Sequence, residues 1–569
     1  MASDSSTALT GLPSVENPVV SAGEACRFLI QASFGPTIEE IARVQQIGYA
    51  AWMDNQLAQP VQKHLPILLS QPPEPPKPAP AAKPGETMKS ADAMQAPAAA
   101  PEPLYPAKSM DEIRMMDARM VGNYYNHRRK FVWWQQSVTA TDQLRQRVAY
   151  AWLQLFVVSD KDDAFTNFTS SLVDYYDTLL ENGLGNFRDL LKAVTYSYCM
   201  ATYLTYLGNE KADPKSTRRP DENYAREIMQ LFTIGLYELN PNGTPKLDEK
   251  GQLIPTYNND DVREMARVFT GFHCTGHEKN WLYGPRCPLQ PLQVYAERHD
   301  SGEKSLLGGR KVIPAGQPPD KDVEDALDCL FNHENTPPFV SRFLIERFTS
   351  SNPSKEYLGR VAKVFTDNGK GVRGDLTAVI RAILLDPEAR QVGDNPNSGK
   401  LREPYLRLVA LVRAFNGKSP DGMYKVAYLN DLVGQEPGSA FSVFNFYAPD
   451  YAPPGPIAEG GMVGPEFEIT NAVTSVSLPN FLRDCIYNGS MGRWGNNVTL
   501  DYSQEIQLAP RASILMDHLS LLLTGDRMSA ETRGIIRRAV DQIPETQPED
   551  RVKLAVYLTS ICAESAVQP

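Results

Sequence analysis

Apolar residues recur at three- and four-residue spacing along most of this chain, the period of helices that bury one face. "DQLRQRVAYAWLQLFVVS" (142–159), "LVDYYDTLLENGLGNFRDLLKAVTYS" (172–197) and "RASILMDHLSLLLTGDRMS" (511–529) carry the pattern most clearly. Near the start, "SAGEACRFLIQASFGPTIEEIARVQQIGYAAWMDNQLAQP" (21–60) predicts two short helices, the second capped by Thr37 ahead of Glu39 and Glu40. Between 273 and 320 the period breaks into Gly, Pro and short β-like runs such as "LQVYAERHD" and "SLLGGRKVI", which predict a small hairpin. From 71 to 106 the chain is rich in Pro and Ala and almost free of large apolar residues, so it reads as a disordered or polyproline-like connector.

The expected fold is mainly α: a multi-helical globular core with a small β-hairpin insertion. Its parts are a flexible N-terminus (1–20), N-terminal helices on the core (21–60), the connector (61–109), a helical core (110–272), the insertion (273–320) and a C-terminal helical part (321–569).

One helix-like stretch departs from the usual proportions. In "RRPDENYAREIMQLFTIGLYELN" (Arg218–Asn240), a turn of ~100° per residue puts Asn223, Arg226, Glu227 and Gln230 on one narrow face. Apolar residues cover the rest, so most of the circumference should be buried. The thin polar stripe then needs partners or a ligand, because each unpaired buried polar group costs roughly 1–3 kcal/mol. Two readings stand side by side: a ligand-facing site, or a helix start with Asp221 and Glu222 at the positive end of the dipole and Arg226 and Glu227 in an ion-pair network.

Composition narrows the functions. A net charge of −11 argues against general nucleic-acid binding, and no apolar run is long enough to span a bilayer. Seven cysteines give no dense disulfide framework. Cys26, Cys199, Cys329 and Cys562 read as buried thiols. Cys274 and Cys287 lie in the loop-like "HCTGHEKNWLYGPRC", as free thiols or as a bridge closing a short ring. His273, Cys274 and His277 sit close together, but Gly276 and the missing second cysteine at short spacing leave metal binding poorly supported. No phosphate loop, dinucleotide fingerprint or serine-hydrolase elbow occurs, and no cofactor is expected.

The candidate chemistry therefore joins the stripe to the following helix, where Asp261, Glu264 and Arg267 recur. Carboxylates, a guanidinium and amides on two helices suit a polyhydroxylated substrate, with one raised-pKa carboxyl as acid. Asp221, Glu222, Glu227 and Asp261 are the catalytic candidates there, with Asn223, Arg226, Gln230 and Arg267 as substrate contacts. His299 and Asp300 in "ERHDSGEK" form a second catalytic candidate, although neighbours on a strand point to opposite faces and only a turn would pair them. In "SVFNFYAPDYAPPGP", Asn445 and Tyr447 are placed to wall a cleft or to pack between helices.

These same stretches carry a resemblance. "RPDENYAREIMQLFTIGLYELNPNGTPK", "YNNDDVREMARVFTGF", "HDSGEKSLLG", "FVSRFLIERFTSSNPS", "LREPYLR", "SVFNFYAPDYAPPGP" and "RFLIQASFGPT" resemble the family called domain of unknown function 1800. Relatives carry Glu where Gln230 stands and His where Phe232 stands, so any chemistry of those groups is rearranged here. The resemblance implies a mainly helical bacterial protein made for export, hence periplasmic or secreted, with cytoplasmic residence as the alternative. It implies no reaction. The expected function is a carboxylate-dependent hydrolase or lyase on an extracellular carbohydrate polymer. The alternative is a non-catalytic envelope protein that binds a partner protein or polymer. Oligomeric state is not legible.

Overall fold

A computed structural model describes residues 20–70, 123–165, 169–277, 281, 289–391, 398–491 and 498–568, so most of the connector and Cys287 lie outside the described residues. The principal helices, in chain order, are α1 (Ala22–Ala32), α2 (Ile38–Leu57), α3 (Leu65–Ser70), α4 (Asn123–Thr139), α5 (Gln143–Leu155), α6 (Thr169–Asn182), α7 (Phe187–Thr195), α8 (Asn223–Glu227), α9 (Asn259–Val268), α10 (Pro319–Phe331), α11 (Thr336–Phe348), α12 (Lys355–Thr366), α13 (Leu376–Leu385), α14 (Pro404–Ala414), α15 (Thr474–Asn488), α16 (Ala512–Thr524) and α17 (Pro548–Ile561). The mainly helical expectation holds. Caps explain several starts: Ser21 and Glu24 close a capping box on α1, and the Thr37 hydroxyl accepts the Glu40 N–H at 3.2 Å.

Strands are short and antiparallel. β1 (Phe272–His273) pairs with β2 (Gln293–Val294), and β3 (Lys304–Leu306) pairs with β4 (Lys311–Ile313) in the expected hairpin. β5 (Lys400–Leu401) pairs with β6 (Val567–Gln568), which ties the C-terminal end to the middle of the chain.

One apolar cluster runs through nearly all of these helices, from Val20 and Phe28 through Trp152, Leu344 and Leu408 to Val556. The two N-terminal helices belong to it: α1 packs on α2, α5, α13 and α16. Gly35, in the turn between them, has φ +137°, and a Cβ there would stand 2.6 Å from the Ala410 backbone, so that close approach admits only glycine. Cys26, Cys199 and Cys329 are buried free thiols, as is Cys485, whereas Cys562 is only half-buried.

Candidate functional site

The polar stripe sits on a shorter helix than its period predicts. α8 gives way at once to a π-helical turn, Ile228–Thr233, in which the Ile234 N–H reaches back five residues to the Met229 carbonyl at 3.0 Å. The Thr233 hydroxyl repeats this, donating to the Ile228 carbonyl at 2.5 Å. Gly235, with φ +71°, ends the turn. Beyond it the chain forms a small ribbon bridged at Tyr237–Pro255, Leu239–Pro245 and Leu247–Leu253, so Leu236 to Asn240 are not helical. An apolar period alone cannot separate a helix end from a following strand. π-turns inside α-helices recur at functional sites.

Glu227 closes α8. Its side chain is 9% exposed, and its Oε2 is buried without a hydrogen-bond partner. Burial pushes its carboxyl above the ordinary range, and the Arg226 guanidinium opposes this only in part. Arg226 is half-exposed and pairs with Glu222 at 3.5 Å on the surface. Gln230 accepts from the Tyr257 hydroxyl at 3.1 Å. Tyr257 is itself raised by burial, with Arg226 lowering it and Glu227 raising it further, which places these three groups within electrostatic reach of one another.

The start of α8 is held by Asp221. One carboxylate oxygen accepts the Asn223 N–H at 2.8 Å, and the other accepts the Thr205 hydroxyl at 3.0 Å. Asn223 donates to that same hydroxyl at 3.4 Å. Thr205 has φ +63°, a conformation costing about 1–3 kcal/mol for a β-branched residue. Such outliers gather where the surroundings over-determine the backbone.

The next helix contributes differently. Asp261 closes a capping box with Asn258 through Oδ2 at 3.0 Å, and its Oδ1 accepts the Gly308 N–H at 2.7 Å, so both oxygens are engaged. Arg267 is clamped between Glu264 at 2.7 Å and Asp300, which it meets through two bonds of 3.0 Å. His299 does lie in a turn, but its ring meets Asp322 rather than Asp300. Nδ1 faces the Thr270 carbonyl at 2.9 Å and Nε2 faces Asp322 at 3.0 Å, with the ring 1% exposed. Lys304, fully buried, pairs with the same Asp322 at 2.6 Å. These partners knit the hairpin to α9 and α10, away from the stripe.

Asn445 and Tyr447 are buried. Asn445 adopts φ +68° and, with Tyr150, Gln154 and Phe446, lines a small hollow of about 10 Å³. The Tyr447 hydroxyl donates to Gln154 at 2.9 Å and accepts from Arg347. Behind them lies a buried ionic network that the period did not reveal. Glu403, fully buried, accepts from the Tyr150 hydroxyl at 2.7 Å, from Gln154 at 3.2 Å and from Gln435 at 2.5 Å. Burial raises its carboxyl, but Lys400, Arg147 and Arg347 outweigh that and hold it below the usual range. Lys400 pairs with Glu466 at 2.7 Å, both almost wholly buried. The signal for this network was present: "FLIERF" puts Glu346 and Arg347 at buried positions of α11, and "LREPYLR" sets Glu403 at the buried start of α14.

His273, Cys274 and His277 offer donor atoms within 4.8 Å of one another. Cys274 is disulfide-bonded, so its sulfur is no thiolate. The His273 Nδ1 accepts the Cys274 N–H at 2.8 Å, and the His277 Nδ1 faces the Trp281 carbonyl at 3.1 Å, with the two rings stacked at 3.5 Å. The trio is a loop clamp, two donors short of a closed tetrahedral metal site.

A family model described as "Protein of unknown function (DUF1800)" matches residues 27–564. The chain belongs to that family. No curated protein and no solved structure matches it. The DUF1800 motifs that carried the resemblance now have places in space. "RPDENYAREIMQLF" builds the stripe and its π-turn, whereas "FVSRFLIERFTSSNPS", "LREPYLR" and "SVFNFYAPDYAPPGP" meet in the buried ionic network.

Proposed function

We propose that this DUF1800 protein is an exported hydrolase or lyase acting on an extracellular carbohydrate polymer, with Glu227 as its proton donor. The observation that carries the reading is the Glu227 carboxyl: buried, with an unpartnered Oε2 and a raised pKa, beside the half-exposed Arg226 at the start of a π-turn. A carboxyl whose burial disfavours ionisation is suited to hold and donate a proton in general-acid catalysis. Of the other candidate carboxylates, Asp221, Asp261 and Asp300 are committed to protein donors, so the reading assigns the acid role to Glu227 alone. Arg226, Gln230 and Asn223 supply the guanidinium and amides that bind hydroxyls or an acidic group of the chain. The Cys274 disulfide supports export, because such bonds persist in oxidising compartments. Among the described residues, no helix is long and apolar enough to cross a membrane.

The test is a panel of purified polysaccharides, neutral and acidic, incubated with the full chain and analysed for released oligosaccharides. Glu227→Gln abolishes release while keeping polymer binding if the reading is right. No cleavage of any panel member by the folded protein refutes it. A second reading, a non-catalytic envelope protein that docks a partner or polymer, is favoured by the exposed Leu236, Tyr237, Leu247 and Leu253 on the ribbon beyond the π-turn. It predicts capture without turnover, unaffected by Glu227→Gln.

A further inference from the structure

A hollow of about 330 Å³ lies far from the stripe in sequence, between α2, the α4–α5 turn and α14. That is within the range of small-molecule sites. Its wall is polar. Arg413, 9% exposed, is fixed by bonds from Nε to the Gly35 carbonyl at 2.9 Å and from Nη1 to the Val138 carbonyl at 2.6 Å. Its Nη2 has no partner among the described residues. That edge of an otherwise buried and fixed guanidinium opens on the hollow, where an acceptor would complete its bonds.

Other open groups face the same hollow. Arg43, exposed at the rim, has no acidic partner among the described residues. The Glu40 Oε2 accepts the Trp52 indole N–H at 2.6 Å, which fixes the carboxylate and leaves Oε1 open. The Gln56 Oε1 takes the Leu144 N–H at 3.2 Å, leaving its amide donor open, and the Gln59 Nε2 bonds within its own helix, leaving its oxygen open. The Asn55 side-chain amide, also in the wall, has no hydrogen bond among the described residues. Two arginines against one glutamate leave the hollow with an excess of one positive charge. The neutral amides add donors and acceptors in nearly equal number.

We propose that this hollow binds a small polyhydroxylated monocarboxylate, a sugar acid, with the carboxylate on the Arg413 and Arg43 guanidiniums and the hydroxyls on Asn55, Gln56, Gln59 and Glu40. The charge excess selects a monoanion over a neutral sugar, and over an amino-acid zwitterion, which would leave that excess uncompensated. The amides select hydroxyls over a bare carboxylate. The inference does not rest on Glu227, since none of these residues belongs to the stripe.

Isothermal titration of the full chain with D-glucuronate tests it, with D-glucose, acetate and serine as comparators. D-Glucuronate should bind at least about tenfold more tightly than each comparator, the effect of one charge-assisted bond or more. Arg43→Gln and Asn55→Leu are exposed changes on α2 that leave the fold intact, and each should weaken D-glucuronate about fivefold or more. Equal or tighter binding of glucose, acetate or serine overturns the proposal. So does the absence of binding at millimolar D-glucuronate, or variants that bind as the parent does. The Glu227→Gln protein should bind D-glucuronate unchanged, which separates this site from the proposed catalytic one.

Discussion

Glu346 lies on α11 with its side chain 7% exposed, and burial lifts its carboxyl from the ordinary 4.5 to about 7. Arg342, 3.8 Å away, and Arg347 oppose that rise, Glu466 adds to it, and Lys400 opposes it. The rise corresponds to roughly 3 kcal/mol. Its sign follows from which state holds the proton. Below the unfolded pKa both states are protonated, and the contribution to stability is fully present. As pH rises, the unfolded chain ionises first while the folded chain keeps its proton, so stability falls until the folded group also ionises near pH 7. Glu346→Gln keeps the shape and never ionises. The ion pair it loses, with half-exposed Arg342, is worth less than about 1 kcal/mol. About 1 kcal/mol of the full amount has already gone by about pH 5, so the variant should gain about 2 kcal/mol on the parent between about pH 5 and about pH 8.5. Urea unfolding followed by tryptophan fluorescence at both pH values measures this. Stability curves that run parallel across that range would refute the argument, because the carboxyl would then be no harder to ionise in the fold than out of it.

Three further changes test other parts of the architecture. Lys400→Met or Glu466→Leu alone should cost about 3–5 kcal/mol by leaving one buried charge unpaired, whereas the double variant should come close to the parent, as a urea double-mutant cycle would show. Asp322→Asn strands the buried Lys304 ammonium at neutral pH. Burial raises Asp322, but His299 and Lys304 outweigh that and hold it below its usual range, so the stability it confers is present above about pH 4 and lost as pH falls through the folded value. The gap between parent and variant in acid unfolding should therefore narrow below about pH 4. Gly35→Ala drives a methyl into the Ala410 backbone and should cost at least about 1–3 kcal/mol, read as a lower urea midpoint.

Much of the fold was legible because its helices repeat their apolar residues regularly and its hairpin is marked by turn residues. Thr37 is a local signal with a local consequence, acting on an N–H three residues away, whereas the demand on Gly35 comes from Ala410 far along the chain. The stripe was legible as a stripe, but not the length of its helix. The π-turn depends on where the Thr233 hydroxyl and the Gly235 backbone find partners, and neither is encoded in an apolar period. The candidate carboxylates sorted themselves by partners from distant segments. Asp261 is engaged by Gly308, and Asp300 by Arg267. Only Glu227 was left with an orphaned oxygen, and no spacing rule separates it from the others.

The same reasoning explains why the hollow beside α2 went unread. Asn55, Gln56 and Gln59 look like the solvated face of an amphipathic helix, and most such faces are only that. Arg413 looks like the basic end of α14, where the helix dipole favours it. Only when the α4–α5 turn closes over them do these polar groups face one another across a cavity, and only then does an open guanidinium edge acquire meaning. Charge on a helix surface is ambiguous until its opposite wall is known. The buried network of Arg347, Lys400, Glu403 and Glu466 marks the other limit: there the walls have closed and opposite charges pair, with only single atoms such as the Arg347 Nε left unbonded. A site for a ligand lies between those extremes, where polar groups are brought together but their bonds are not completed by the protein itself. Glu227, with its orphaned oxygen, and Arg413, with one edge open to the hollow, meet that description at two separate places, which the Glu227→Gln and Arg43→Gln proteins address independently.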